Sequence, residues 1–135
     1  MTSPSRRLVS VAVVVMHRGM MLLVQRKDGN IPRNSWEFPN GPLLQPEPLD
    51  DAAVSILLSS VNIAATKVER VGIFDNPTVI SDLVIVYGAR MDHHGNPSVG
   101  SPDIVRVTWA QPSKLPPMAP GHHDLMQLYL ASRFR

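Results

Sequence analysis

Apolar residues come in dense, short runs near the start of the chain. Residues 8 to 16 and 20 to 26 are rich in Val, Leu and Met and are separated by His17, Arg18 and Gly19, a short polar turn with glycine. Two such runs on either side of a turn are a β-hairpin pattern, and their near-continuous apolarity predicts central strands buried on both faces. Residues 28 to 34 are polar, with Gly29 and Pro32, and read as a loop; Trp36 to Phe38 is a short extended piece closed by Pro39. The period then changes. Leu49, Ala52, Ala53, Ile56, Leu57 and Ser60 follow the i, i+3, i+4, i+7 spacing of a helix with a buried stripe, which predicts a helix from about Leu49 to Val61. Asp50 and Asp51 fall in its first turn, where carboxylates meet the positive end of the helix dipole. Further strands are predicted at Val68 to Phe74, Leu83 to Met91 and Ile104 to Trp109, with loops rich in Pro, Gly, Asn and Asp between them. Residues 111 to 121 hold four prolines and one glycine, which excludes a long helix there. His123 to Phe134 reads as a C-terminal helix with Leu125, Leu128 and Tyr129 on one face. Strands before and after a single mid-chain helix, with another helix at the end, imply an α/β fold in which a mixed sheet is covered on both sides.

Composition narrows this picture. A chain of 135 residues that is 44% hydrophobic fits one domain, 1–135, with a real core. A formal charge of +2 and a pI near 9.4 are weakly basic, and the Lys and Arg are spread out rather than massed, so nucleic acid is an unlikely partner. Cysteine is absent, which excludes disulfides and thiolate metal sites. Arg6 and Arg7 before the first apolar run imitate a secretory signal, but no small-residue cleavage site follows and a hairpin turn does. Neither run approaches the ~20 apolar residues that cross a bilayer. The expectation is a soluble, cytoplasmic protein with no membrane partner.

The candidate chemistry lies between residues 36 and 63, WEFPNGPLLQPEPLDDAAVSILLSSVNI. This stretch resembles the signature of the Nudix family: Gly, five residues, Glu, seven residues, Arg-Glu, an apolar residue, any residue, Glu-Glu, any residue, Gly and an apolar residue. Gly41 and Glu47 fall in register, and Leu57 and Ile63 keep the apolar positions. The Arg-Glu pair, however, is Ser55 and Ile56, the Glu-Glu pair is Ser59 and Ser60, and the closing glycine is Asn62. The opening strand pair, the segment Gly72 to Pro77, the strand ending in Trp109, the Ser113 to Pro116 turn and the last helix are placed as in small Nudix domains of the MutT or ADP-ribose pyrophosphatase type. The resemblance implies an α/β/α sandwich.

In Nudix enzymes the signature helix presents glutamates to Mg²⁺, which binds the diphosphate of the substrate and helps activate water. Carried over by position, those ligands are Ile56, Ser59 and Ser60, and none is a carboxylate. Two neutral hydroxyls do not replace the negative charges that face a dication. With Ser55 in the Arg position, Glu47 loses the partner the family provides. Only Glu37, Glu47 and Glu69 exist in the chain, and residues 52 to 66 carry no charge. No catalytic residue, metal site or cofactor is therefore expected; Mg²⁺ is expected only if the protein is a divergent hydrolase. Asp50, Asp51, Asp92, Asp103 and Asp124 read as helix-start or turn residues, and His93-His94 and His122-His123 as structural or solvated pairs. The methionines read as core filler and Trp36 and Trp109 as partly buried anchors.

The resemblance also points to Arg26, Trp36, Glu37 and the Phe74 to Pro77 loop, with Phe74 and Asp75, as candidate contacts for a nucleotide-type ligand. Asn40-Gly41 stands where the family has Gly-Gly, and asparagine tolerates a positive φ better than most residues. Val54 and Leu58, together with Ile56, make the helix apolar almost all round, so this face is expected either to pack against a second subunit, as a homodimer or with another protein partner, or to line a drier pocket. The leading expectation is a Nudix-fold protein without standard Mg²⁺-dependent pyrophosphohydrolase activity, acting as a nucleotide-type ligand binder or a regulatory, partner-binding domain. One alternative is a divergent Nudix hydrolase of ADP-ribose or nucleoside triphosphate type; another is a structural interaction protein with a filled pocket.

Overall fold

The computed structural model describes residues 8–27, 34–75, 83–91 and 96–132. Along the chain run β1 (Val9–His17), β2 (Met20–Arg26), β3 (Asn40–Pro42), α1 (Leu49–Val61), β4 (Ala65–Phe74), β5 (Leu83–Met91), β6 (Ile104–Ala110) and α2 (His122–Ala131). The strands form one mixed sheet in the order β4-β5-β1-β2-β6, with β3 paired to β1 off that path. β1 and β5 are parallel, Val9 beside Leu83 through Val15 beside Ala89, and the other pairings are antiparallel.

The apolar runs at the start of the chain take the middle of this sheet because both of its faces are covered. Val11, Val13 and Val15 point to one side, with Leu22, Val24, Ile85 and Tyr87, and meet Ala52, Ala53, Leu57 and Val61 of α1. Ala12 and Val14 point to the other, with Met21, Leu23, Val84 and Val86, and meet Leu125, Met126 and Tyr129 of α2. The period-two alternation of a strand sends successive side chains to opposite layers, so an unbroken apolar run needs a helix on each face. β4, at the edge, has no fully buried residue, which is why Lys67, Glu69 and Arg70 are tolerated there.

α1 has the predicted bounds. Its start at Pro48 has no side-chain cap, and Asp50 and Asp51 lie in its first turn. Asp50 has a further role: the Tyr87 hydroxyl, rising from the sheet, donates to its Oδ1 at 2.5 Å and ties the first turn to β5. Burial, and then the Asp50 carboxylate, push the Tyr87 phenol up to about 12.

Several boundaries differ from the sequence reading: β1 runs to His17, which the sequence placed in the turn. β4 begins at Ala65 instead of Val68, extended by pairing of Ala65 with Met91 across a register shift. β6 runs one residue past Trp109, to Ala110. α2 starts at His122 and ends at Ala131 instead of spanning His123 to Phe134; Ser132 turns out of the helix, its N–H (3.1 Å) and hydroxyl (2.6 Å) both bonding the Tyr129 carbonyl. Among the described residues, no helix is long and apolar enough to cross a membrane.

Candidate functional site

A cleft of about 470 Å³ opens where the end of β2, the start of β6, β3 and the last turns of α1 meet. Ile56, Ser59 and Ser60 of α1 line one side, and Arg26, Gly41 and Asp103 line others. The structure thus brings the glutamate positions of the signature together around one opening. A Cβ on Gly41 would stand 3.5 Å from Ile56 Cγ1, so the apolar Ile56 lies against the β3 backbone at the site where the family pattern has a carboxylate.

The floor of the cleft is a fixed polar network. Glu37 is only 6% exposed, and its Oε1 accepts from Arg26 Nε and from Asn40 Nδ2, each at 2.9 Å. Arg26 Nη2 donates to the Asn40 carbonyl at 2.9 Å, and Asn40 Nδ2 also reaches the Phe38 carbonyl at 2.8 Å. A buried carboxylate is tolerated when a cation and further donors satisfy it, and these two side chains do so. Arg26 spends only part of a donor-rich guanidinium on this network while lining the cleft, so it retains capacity for an anionic or oxygen-bearing ligand. The Asn40 backbone does not take the positive φ expected of it; it sits in strand β3, opposite Ala12, and its contribution is made by the side chain.

Asn62 is the residue that takes the left-handed conformation, with φ 59° and ψ 34°, as the C-cap of α1. It thereby does the backbone work of the signature's closing glycine. Its side chain adds something glycine lacks: Nδ2 donates to Ser98 Oγ at 2.8 Å. The Ser98 and Gly100 N–H groups bond the carbonyls of Val61 (3.0 Å) and Ser60 (2.9 Å), satisfying orphan acceptors of the last helical turn. Gly100 is required at this approach, since a Cβ there would come within 2.8 Å of the Ser59 carbonyl oxygen. Ser60 is only 8% exposed beneath this loop, and its hydroxyl bonds back to the Ile56 carbonyl.

Mg²⁺ does not fit the donors that the described residues present at the cleft. Octahedral Mg²⁺ takes hard, mostly anionic oxygen ligands. Asp103 is the one carboxylate among the described residues lining the cleft, and no group of three or more His, Asp or Glu among the described residues is arranged to hold a metal.

The other predicted residues are distributed elsewhere. Glu47 is exposed in the loop before α1, and Ser55 is exposed on that helix, away from the cleft lining. Trp36 is half-buried and lies with Trp109, Lys114 and Leu115 along a separate groove beside β6. Phe74 packs on the α2 side of the sheet at the end of β4, and Asp75 follows it exposed; neither lines the cleft. Asp124 is exposed in the first turn of α2. Pro77, Asp92, His93 and His94 lie outside the described residues.

The remaining histidine pair separates by environment. His123 is exposed, whereas His122 is 2% exposed and its Nδ1 accepts the Phe38 N–H at 3.1 Å, which clamps α2 to the segment carrying Glu37. Burial drives the His122 imidazole down to about 4; Glu37 pulls it back up and Arg26 pushes it down. Sequence reasoning named Asn40 for its backbone and His122 as structural or solvated, and it did not name Gly100. Only the pairing of a left-handed Asn62 with a glycine further on could have hinted at the loop contact.

Comparison with known structures supports the same architecture. A MutT NUDIX hydrolase from Burkholderia pseudomallei superposes with TM-score 0.77 at 21% identity, covering 90% of this chain and 96% of that one. The NUDIX domain of NrtR from Shewanella oneidensis, solved in complex with ADP-ribose, superposes with TM-score 0.79 at 19% identity, covering 93% and 88%. A bifunctional NMN adenylyltransferase/ADP-ribose pyrophosphatase from Francisella tularensis matches with TM-score 0.73 at 21% identity, covering 96% of this chain but 42% of that one. At such identities these likenesses speak for the fold alone. No curated protein is similar enough in sequence to count as a relative. The family model for the NUDIX domain matches residues 6–129, taking in the hairpin, the signature helix and most of α2, and with the mixed sheet between two helices it establishes that this chain belongs to the NUDIX family.

Proposed function

We propose that this NUDIX domain binds a nucleotide-type ligand, with ADP-ribose as the leading candidate, and serves as a sensor or regulatory domain without the family's standard Mg²⁺-dependent hydrolysis. One observation carries the reading: the cleft is open where the signature converges and Arg26 and Asn40 line it among apolar groups, yet its helix side is Ile56, Ser59 and Ser60. Hydrolysis of a diphosphate needs charge neutralisation as the bond breaks, and neutral hydroxyls beside an isoleucine supply little of it. Recognition needs less. The Arg26 guanidinium, held by Glu37 and Asn40, is a preorganised donor for phosphate or ribose oxygens. The ADP-ribose bound by the NrtR domain of the same fold gives the ligand class its precedent.

A second reading has one observation in its favour, since Asp103 lines the cleft and is a carboxylate outside the signature. That is the position from which a divergent hydrolase would draw an acid or a metal ligand. Titration calorimetry with ADP-ribose and with ATP, with and without Mg²⁺, separates the readings when the same samples are assayed for cleavage. Saturable binding without turnover is the expected result. Metal-dependent turnover that is lost in Asp103→Asn would establish the hydrolase instead. Silence in both channels would move the role to a protein partner, for which the exposed Leu58 on the outer face of α1 is the first surface to test.

A further inference from the structure

A second cavity, of about 460 Å³, lies at the opposite end of the sheet, between the β1–β2 turn, the end of β5 and the last turn of α2. β3 and the cleft adjoin the start of β1, where Ala12 faces Asn40, whereas this cavity begins at Met16 and His17. Ala12 to His17 is about 17 Å of strand at ~3.3 Å per residue, so the two openings do not share a wall. Its walls are apolar: Met16, Ala89, Met91, Tyr129 and Leu130. The volume falls in the ~300–1,000 Å³ range of small-molecule sites.

Two features give the cavity a sign. Arg18 and Arg90 both line it; Arg90 already has an interaction of its own, so the cation left to face a ligand is Arg18. Arg18 is also in an unexpected conformation. The hairpin closes with positive φ at both central residues, 52° at Arg18 and 78° at Gly19, a turn whose first position favours Asn, Asp or Gly. A left-handed Arg is conformationally disfavoured, and nothing in the turn calls for a guanidinium. What the residue does provide is a cation at the mouth of an apolar chamber. We infer that this cavity is a binding site for a compact apolar molecule bearing a carboxylate, its chain held among the methionines and Leu130 and its head group at Arg18. Guanidinium matches a carboxylate in both charge and fork geometry. The methionine side chains suit a flexible aliphatic body.

The test is calorimetric titration of the full chain with decanoate, and with decan-1-ol as the uncharged counterpart. Decanoate binds saturably with one site per chain, and decanol binds about tenfold more weakly, the difference expected for one charge-assisted contact. Arg18→Gly, which suits the left-handed turn and keeps the fold, weakens decanoate about tenfold. Leu130→Trp, at a partly exposed helix position, fills the chamber and abolishes saturable binding. Neither variant alters titration with ADP-ribose. Non-saturable uptake of decanoate, equal binding of decanol, or undiminished binding by both variants would overturn the inference.

Discussion

The two sides of α1 follow different rules. Toward the sheet, Ala53, Leu57 and Val61 are 0% exposed and Ala52 is 3% exposed, pressed on Val11, Val13 and Tyr87. Toward the cleft stand Ile56, Ser59 and Ser60, side chains of mixed size and no charge. The sheet side is constrained by packing alone and needs apolar groups of the right volume at i, i+3, i+4 spacing. The cleft side is mixed: Ile56 is partly buried against the core cluster and Ser60 is covered by the Gly100 loop, while Ser59 is exposed. Because packing on the sheet and lining of the cleft fall largely on different residues of one helix, the chemistry can be rewritten while the fold persists. The loop at Ser98 and Gly100 sits on the carbonyls of the last turn.

The largest expected effect tests that division directly. Leu57→Ala opens a void under the centre of α1 and should cost about 3 kcal/mol, within the 2–5 usual for buried leucine, read as a lower urea midpoint. Ser59→Ala, two residues on and exposed, should move stability by less than about 0.5 kcal/mol. Comparable losses from the two variants would mean that the cleft side carries fold stability after all.

The other face of the sheet offers a pH-dependent version of the same contrast. His122 is buried neutral, with Nδ1 accepting the Phe38 N–H, and its folded value of about 4 lies below the ordinary imidazole value of 6.5. The unfolded chain therefore binds the proton first on acidification. Stability is fully present above pH ~6.5 and falls as the pH drops toward 4, by about 3 kcal/mol at the limit. Urea midpoints at pH 7 and pH 4.5 should diverge in the natural protein and converge in His122→Gln once the common carboxylate titrations are subtracted. An equally steep acid loss in His122→Gln would put the sensitivity elsewhere, with Glu37 and its partners next in line.

The apolar periodicities made the scaffold legible. Val11 to Val15 could only be a strand covered twice, and the Leu49 to Val61 stripe fixed α1 to the residue. The signature positions were legible too, because spacing along one helix determines which residues share a face. What the sequence hid were contacts between segments far apart in the chain. His122 meeting Phe38, Asn62 meeting Ser98 and Tyr87 meeting Asp50 depend on three-dimensional register, to which periodicity is blind. Trp36 and Phe74, grouped with Arg26 by looser likeness outside the signature, do not line its cleft: the sheet sends Trp36 to the β6 groove and Phe74 to the α2 side. Asn40 was assigned a backbone role and has a side-chain one, because pairing with β1 keeps its φ negative and frees its amide to bind Glu37.

The finest test returns a carboxylate to the cleft side of α1. Ser60 lies under the Gly100 loop at 8% exposure, so Ser60→Glu must either bury a charge or push the loop off the helix carbonyls. Its position at the margin of an open cleft limits the cost to about 1–2 kcal/mol, since the longer side chain can reach water. Ser59→Glu, already exposed, should be nearly neutral in stability. Neither variant should be stabilised by millimolar Mg²⁺, because one new glutamate with Ile56 and a single turn aspartate is not a hard-oxygen cage. Thermal unfolding of both variants with and without Mg²⁺ reads this out. A rise in melting temperature with Mg²⁺ for Ser60→Glu would show that Asp103 and the cleft backbone complete a site from a single carboxylate, and the line between the two sides of α1 would then be one substitution wide.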